Sequence, residues 1–414
     1  MMSILEQLFS DLNLWPGFHL VSYEIRRPRI QNLDKPTLLL RLEPLPGSMP
    51  ICSHCRQEAP LVHEYITRRI ADCPMFDMFV QLEIRIRRVE CHHCGHRCNE
   101  YVQWLPPYQR YTERLRLHVE HRTKEETVAY AAQETNVGWR AVKQIDKERL
   151  QREVGEFHWD NSHRLAVDEF AIHRRHRYAT VVYSLDTKAV LWIGTGRSRA
   201  TLKQFFDLLT PEQKLQIQAV AMDQCTAFDL EVKEQCPHAA IVYDLFHVLA
   251  NFGRKVLDRV RVDVANQYRK DPANRRLVKG ARYLLYKRPD TMTDREHSKL
   301  ADLAKLNTPL MKCYVMGDEL RHLWELGSSD QAEALVRDWI YRAVHSRIEQ
   351  LVSFAKNLSS YIDGIVSAAR YHISTSPLEG VNNKIKVIKR RAYGFHDDAY
   401  FFLKVKAAFP GLHR

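Results

Sequence analysis

The chain has 414 residues, is 45% apolar and carries a formal net charge of +12 that is spread along its length. This composition excludes a disordered or fibrous chain and leaves room for roughly two or three domains; no apolar run approaches the about 20 residues of a membrane span. The basic excess asks for a polyanionic partner, nucleic acid first, and nine cysteines without a secretory leader argue for a reducing compartment rather than a disulfide framework.

The stretch 1–17 lacks a basic n-region and a small-residue cleavage site, so it reads as a short amphipathic helix and not as a signal peptide. Alternating apolar and polar positions at 19–25 and 38–43 predict strands of a small β module within residues 1–105. Two C-x-x-C knuckles follow, Cys52 with Cys55 and Cys91 with Cys94. Thiolates are soft ligands, and each knuckle sets two sulfurs on one face of a tetrahedron, so the pair predicts a structural Zn²⁺ site. Cys98, His92, His93 and His96 are near enough to compete, but the symmetry of the knuckles favours Cys52, Cys55, Cys91 and Cys94. Between the knuckles, residues 78–89 alternate as a strand, with Arg85, Arg87 and Arg88 supplying positive charge.

Residues 110–157 read as helices over 111–124, 125–134 and 139–154, with a break at Asn136-Val137-Gly138. Two short helices around a glycine-containing break suggest a helix-turn-helix; a plain helical hairpin is the alternative. The second helix would offer Arg140, Lys143 and Lys147 to DNA, with Trp139, Val142 and Ile145 turned inward.

Over 160–249 the pattern changes to strands. Residues 164–167 form a buried strand ending at Asp168-Glu169, and strands at 178–185 and 189–194 are joined by the turn Asp186-Thr187-Lys188. After a helix at 199–209, an apolar run at 217–222 stops at Asp223. A helical segment broken at Pro237 follows, then a second run at 239–243 that stops at Asp244, with His247 one helical turn further on. Strand, helix, strand at this spacing is a parallel crossover unit, and chemistry gathers at the carboxyl ends of such strands. Three antiparallel strands, a helix, a strand, a helix and a strand is the order of a ribonuclease H-like mixed sheet. Its first and fourth strands are neighbours, which would set Asp168 beside Asp223. Glu169 rivals Asp168 but faces the other side of its strand.

Residues 250–365 read as an α-helical insertion without a metal or nucleophile motif, and residues 370–414 as a last helix and tail. Ser376 suits an N-cap, Pro377 the first helical position and Glu379 the third, which makes Glu379 the acid of a capping box. Glu379 also shares a helix face with Asn383, Lys386 and Arg390, as a carboxylate facing DNA would. The local pattern leaves both readings open.

Phosphodiester cleavage needs an activated water or hydroxyl and neutralisation of charge on the leaving oxygen, and two Mg²⁺ ions supply both. Mg²⁺, or Mn²⁺ in its place, takes oxygen ligands and keeps waters, so a few carboxylates suffice. Asp168 would bridge the ions, with Asp223 holding one and Glu379 the other. No Ser/His/Asp set or phosphate-cradling glycine loop is evident, so covalent catalysis and NTP hydrolysis lack support. The plain alternative for a lone aspartate at a strand end is a helix cap.

The paired knuckles, the helix-turn-helix, LAVDEFAI at 165–172, VAMDQCTAF at 220–228, YDLFHV at 243–248 and SPLEGVNNKIKVIKRRAYGF at 376–395 occur in this order. Together they resemble the transposases of the ISL-three family of bacterial insertion sequences, from about residue 50 onward. The resemblance implies a DDE transposase, multi-domain α/β, in which a zinc-binding β module and a helix-turn-helix precede a ribonuclease H-like core with an α-helical insertion. Asp168, Asp223 and Glu379 fall on the catalytic positions, and Asp244 and His247 on a (C/D)-x-x-H signature that positions the core. The enzyme would bind the terminal inverted repeats of its element, hydrolyse one strand at each end and join the 3′-hydroxyls to target DNA. Lys386, Lys389 and Arg390 would contact phosphates. Its partner would be double-stranded DNA, bound as a homodimer or higher assembly, and its place the bacterial cytoplasm at the nucleoid, with no membrane contact. A non-catalytic DNA-binding regulator and a nuclease without strand transfer are the rival readings.

Overall fold

The computed structural model describes residues 9, 11–27, 35–173, 177–326, 328–371, 373 and 375–412, without the side chains of His173 and Trp324. Most of the helix expected over 1–17, and Ser374, lie outside the described residues. The chain forms two compact units, residues 1–155 with 391–394, and residues 156–390 with 395–414.

The first unit holds a mixed sheet of β1 (Phe18–Arg26), β2 (Thr37–Pro44), β3 (Val62–Met75), β4 (Met78–Glu90) and β5 (Arg97–Asn99). The order is β1-β2-β4-β3, with β5 paired to β4. Sequence reasoning missed the 14-residue β3, whose run of charged residues hides its alternation. Phe76 (φ 50°) and Asp77 (φ 58°) make the tight turn between β3 and β4, both left-handed as a two-residue hairpin turn that matches strand twist requires. Leu38, Leu40, Leu42, Ile70, Leu82, Ile84 and Ile86 fill the core of this sheet. Of the three arginines read as positive surface, Arg87 is instead buried. It is held by the Glu100 carboxylate at 2.6 Å and the Ser48 carbonyl, while Arg85 pairs with Glu43 and Arg88 with Glu64 at the surface.

Three helices follow, α1 (Glu113–Glu125), α2 (Val128–Thr135) and α3 (Trp139–Leu150). Asn136 takes the left-handed conformation that ends α2, and Gly138 caps α3. Leu115, Val119, Ala131, Val142 and Ile145 make their shared core. Trp139, expected inward, is 53% exposed at the start of α3, because Val142 and Ile145 suffice to define the buried face. Sheet and helices are joined by Asp72 on β3. Its buried carboxylate accepts from Trp15 Nε1 at 2.8 Å, from the Thr112 hydroxyl at 2.6 Å, from Arg114 Nε at 2.6 Å and from the Cys73 N–H at 2.8 Å.

The second unit is built on a sheet of β6 (Arg164–His173), β7 (Arg177–Ser184), β8 (Val190–Thr195), β9 (Ala219–Met222) and β10 (Ala240–Tyr243), in the order β10-β9-β6-β7-β8. β6, β9 and β10 run parallel; β7 and β8 are antiparallel to their neighbours. Strand alternation sorts the side chains between two cores. Leu165, Val167, Val182, Val220, Met222 and Tyr243 face one side, covered by α4 (Arg199–Phe206), α6 (Thr226–Gln235) and α7 (Leu245–Phe252); α5 (Pro211–Gln216) precedes β9. Ala166, Phe170, Ala179, Val181, Ala219, Ala221 and Val242 face the other side. There they meet Leu378, Val381 and Ile385 of α15 (Ser376–Arg391) and Phe401 and Val405 of α16 (Asp398–Ala408).

Between α7 and α15 the chain is helical: α8 (Asp258–Gln267), α9 (Pro272–Gly280), α10 (Asp294–Leu306), α11 (Thr308–Arg321), α12 (Ser329–Val344), α13 (Glu349–Ser359) and α14 (Ile362–Tyr371). These helices extend the first core around Phe252, Trp339 and Phe354, whose rings meet edge to face, and the buried Trp339 donates Nε1–H to the Met316 carbonyl at 2.7 Å.

Candidate active site and zinc centre

In the second unit, the register of the sheet assembles the site. Val167 is paired with Met222 and Met222 with Tyr243, so the next residues, Asp168, Asp223 and Asp244, stand in one row: Asp223 and Asp244 just past the carboxyl ends of β9 and β10, and Asp168 in the middle of β6, which was expected to end there but runs on to His173 through its pairing with β7. Their parity in the strands is that of Ala166, Ala221 and Val242, which face α15. Glu169 has the opposite parity and pairs with Arg197 at 3.3 Å.

Asp168 accepts from Asn382 Nδ2 at 2.7 Å and from the Glu169 N–H at 2.7 Å. Burial nevertheless raises its pKa, against the pull of these donors and of His247. Asp223 lies 3.3 Å from His247 Nδ1. Burial lifts its pKa to about 6; His247 opposes the shift and Asp168 adds to it. Asp244 has another task. One carboxylate oxygen caps α7 through the Phe246 N–H at 2.8 Å, and the other accepts from the Thr375 hydroxyl and N–H just before α15. It therefore ties the start of α7 to the start of α15.

Helix α15 begins at Ser376, so Ser376 is its first residue and not its cap, Pro377 is second, and Glu379 falls one place beyond the capping-box position. Glu379 is exposed and lines a cleft of about 1000 Å³ together with Asp168, Asp244, His247, Asn382 and Lys386. The asparagine that lines the cleft is thus Asn382, while Asn383 accepts from Lys386 Nζ at 3.2 Å. Sequence reasoning missed Asn382 because the choice between adjacent asparagines depends on the roll of the helix, although its spacing of three from Glu379 was a usable signal. Lys386 and Arg390 are exposed, but Lys389, expected on phosphate, donates to the Ala171 carbonyl at 2.9 Å, and burial lowers its pKa. The insertion, in which no functional motif was found, supplies a wall of the cleft with Tyr286, Arg288, Arg321 and Leu323. The oxygens of Asp168, Asp223 and Glu379 are not all within 4.8 Å of one another, unlike the cysteine cluster of the first unit. The donor set suits a hard cation all the same. It comprises carboxylates and the buried Asn382 Oδ1, which has no hydrogen-bond partner among the described residues.

In the first unit the two knuckles fold alike. Arg56 (φ 63°) and Gly95 (φ 71°) each turn the backbone so that their N–H groups reach back to the carbonyls of Cys52 and Cys91, at 3.0 and 2.8 Å. The sulfurs of Cys52, Cys55, Cys91 and Cys94 lie within 4.8 Å of one another, with Cys55–Cys91 at 3.5 Å and Cys52–Cys94 at 3.8 Å. A tetrahedral zinc thiolate site with Zn–S of about 2.3 Å has edges of about 3.8 Å, so the four sulfurs fit Zn²⁺. Cys98 approaches Cys52 to 3.5 Å without joining the group of four. On α3, Arg140 is exposed, while Lys143 and Lys147 are half-buried.

Comparison with known proteins agrees with this division. A zinc-finger model of IS204/IS1001/IS1096/IS1165 transposases matches residues 48–94, a helix-turn-helix model of transposase family ISL3 matches 100–150, and the ISL3 transposase DDE model matches 165–405. The chain is 42% identical to the transposase for insertion sequence element IS1001 of Bordetella parapertussis, over 98% of both chains. It is 34% identical to the transposase for insertion sequence element IS1557 of Mycobacterium tuberculosis, over 57% of both chains.

Proposed function

The chain belongs to the ISL3 family of insertion-sequence transposases, and on that premise we propose that it cuts DNA at the ends of its element with Asp168, Asp223 and Glu379 and joins the freed 3′-hydroxyls to target DNA. The observation that carries this reading is the row formed by Asp168 within β6 and Asp223 just after β9, beside a cleft lined by Asp168 and by Glu379 of α15. The sheet order supports a ribonuclease H-like core, and we read residues 1–105, 110–157, 160–249, 250–365 and 370–414 as the zinc module, the helix-turn-helix, the core, its insertion and the closing helix.

Asp168, Asp223 and Glu379 would hold Mg²⁺, which supplies an activated water or hydroxyl and neutralises the leaving oxygen. Asn382 orients the Asp168 carboxylate through Nδ2 and leaves Oδ1 facing the same charge. His247 fixes Asp223, and Asp244 holds α7 and α15 at a set spacing, so neither acts on substrate directly. Lys386 and Arg390 meet phosphates; such contacts position DNA and do not read sequence. Reading falls to α3, through Arg140, Lys143 and Lys147 with Trp139 beside them, on a module braced by structural Zn²⁺. Two ends must be held together, so the working form on DNA is at least a dimer. We place the protein at the bacterial nucleoid; no described helix is long and apolar enough to cross a membrane.

The test is cleavage and joining in Mg²⁺ of a labelled duplex carrying the DNA that flanks the gene, wild type beside Asp223→Ala. Nicks at the element's end and joined products, both lost in the variant with DNA binding kept, are expected. Binding without cutting by the wild type would make the chain a regulator, and cutting without joining a nuclease.

A further inference from the structure

The cleft carries an aromatic residue that neither the carboxylate chemistry nor the packing of the fold uses. Phe246 is the second residue of α7, between Asp244 and His247, and 65% of it is exposed. Its neighbours on the helix, Leu245, Val248 and Phe252, fill the core, so Phe246 occupies the face where an amphipathic helix ordinarily carries a polar side chain. Its backbone is held by the Asp244 cap at 2.8 Å, and its ring stands edge-on to His247 with centroids 5.8 Å apart. It lines the same cleft as Asp168 and Glu379.

The same cleft is lined by cations. Arg321 is pinned by Asp318 at 2.6 Å and by the Tyr286 carbonyl at 3.0 Å. Arg288 and Lys386 are more exposed, and Tyr286 adds a second ring. The cleft, at about 1000 Å³, is at the top of the about 300–1,000 Å³ range of small-molecule pockets, which is room for a nucleotide or two. In a duplex every base face is covered by its neighbours. A flat apolar surface beside cations and carboxylates is therefore matched by a base that has left the stack, with its phosphates on the arginines and lysine.

We propose that Phe246 stacks on an unpaired base next to the scissile phosphate, so that the cleft takes a locally melted end and not intact duplex. This rests on the reading of the cleft as the site of DNA cleavage. Stacking on one aromatic ring predicts a loss of about 10- to 100-fold when the ring is removed.

The experiment compares wild type, Phe246→Ala and Phe246→Trp on two duplexes with the flanking sequence, one fully paired and one mismatched at the nucleotides beside the cut. Phe246→Ala is expected to cut the paired duplex about 10- to 100-fold more slowly and to recover most of that loss on the mismatched one, while Phe246→Trp stays near wild type. Equal loss on both duplexes, or no loss on the paired one, overturns the proposal. A second arm uses Asp223→Ala, which binds without cutting, on paired duplexes carrying 2-aminopurine at successive positions around the cut. A rise in emission at one position, abolished by adding Phe246→Ala, supports base stacking even if the wild type fails to cleave; no rise at any position overturns it. Failure of the wild type to cleave either duplex counts against the functional reading alone.

Discussion

Asp223 keeps its proton to a pH of about 6 because burial and the nearby Asp168 disfavour its charge more than His247 favours it. Its pKa is raised above that of the unfolded chain, so between about pH 4 and 6 the folded state binds the extra proton, and above that the carboxylate is a cost to folding. Asp223→Asn should therefore raise the melting temperature of the metal-free protein at pH 7.5. The shift is about 2–4 °C once the partial exposure of the group is allowed for, and it should fade as pH drops through 6 towards 4. Thermal melts of both proteins at three pH values, with and without Mg²⁺, check the sign; added Mg²⁺ should narrow the gap by stabilising only the wild type. Asn382→Ala removes a group that orients Asp168, and cleavage should drop about 10- to 100-fold with a higher Mg²⁺ requirement, read from a metal titration of rate. Asp223 was legible because an apolar run that stops at an acid says where β9 ends; Asp168 was found by the same signal although its strand does not end there, since pairing with β7 carries β6 on to His173. The partner of Asp168 was not, since Asn382 and Asn383 differ only by the rotation of α15. Trp139 was misjudged because an aromatic ring fits an apolar stripe in sequence whether or not the core has room for it.

Asp72 makes the helices of the first unit depend on the sheet. Four separate groups, Trp15, Thr112, Arg114 and the Cys73 N–H, donate to one buried carboxylate, and Thr112 is also the cap of α1. Asp72→Ala leaves Arg114 and three further donors uncompensated and should lower the stability of this unit by about 3–5 kcal/mol in a urea titration. Asp72→Asn, which keeps an acceptor, should lose less. The knuckles depend on a different force. Removal of Zn²⁺ by a chelator, or Cys55→Ser, should unfold the turns at Arg56 and Gly95 and weaken binding to the element's ends, checked by metal analysis together with a DNA-binding isotherm. The knuckles and the three helices could be read from sequence, because C-x-x-C spacing and helix breaks at Asn136 and Gly138 are local signals. β3 could not, since Glu64, Arg68, Arg69 and Asp72 interrupt its apolar positions and its pairing with β4 defines it. The buried pairing of Arg87 with Glu100 also escaped, as the two are 13 residues apart, one on β4 and the other just past the end of β5.

Across the whole molecule, the formal charge of +12 makes a prediction of its own. Binding to DNA of unrelated sequence should weaken steeply with salt, and Arg140→Ala should flatten the slope by about one ion if it meets a phosphate, or relax sequence preference if it meets a base. Affinities measured at several salt concentrations on matched and scrambled duplexes separate the two. The insertion was recognisably helical from composition, but not that it walls the cleft. Tyr286 and Arg288 lie in short turns between helices, and such turns carry no periodic pattern to reveal the direction they face. One consequence concerns the order in which the chain is made. The sheet face that bears the row of acids is covered by α15 and α16, the last helices to be synthesised, with Ala368 and Tyr371 of α14 packed beside them. While the ribosome is still translating the insertion, the strands, Asp168 and Asp223 exist but Glu379 does not, and the apolar side chains of β6, β7 and β9 on this face still lack α15 and α16. On the proposed reading, a nascent chain acquires its DNA-reading unit long before the last member of its catalytic set, and a product that stops short of α15 would be a ligand for the element's ends without a blade.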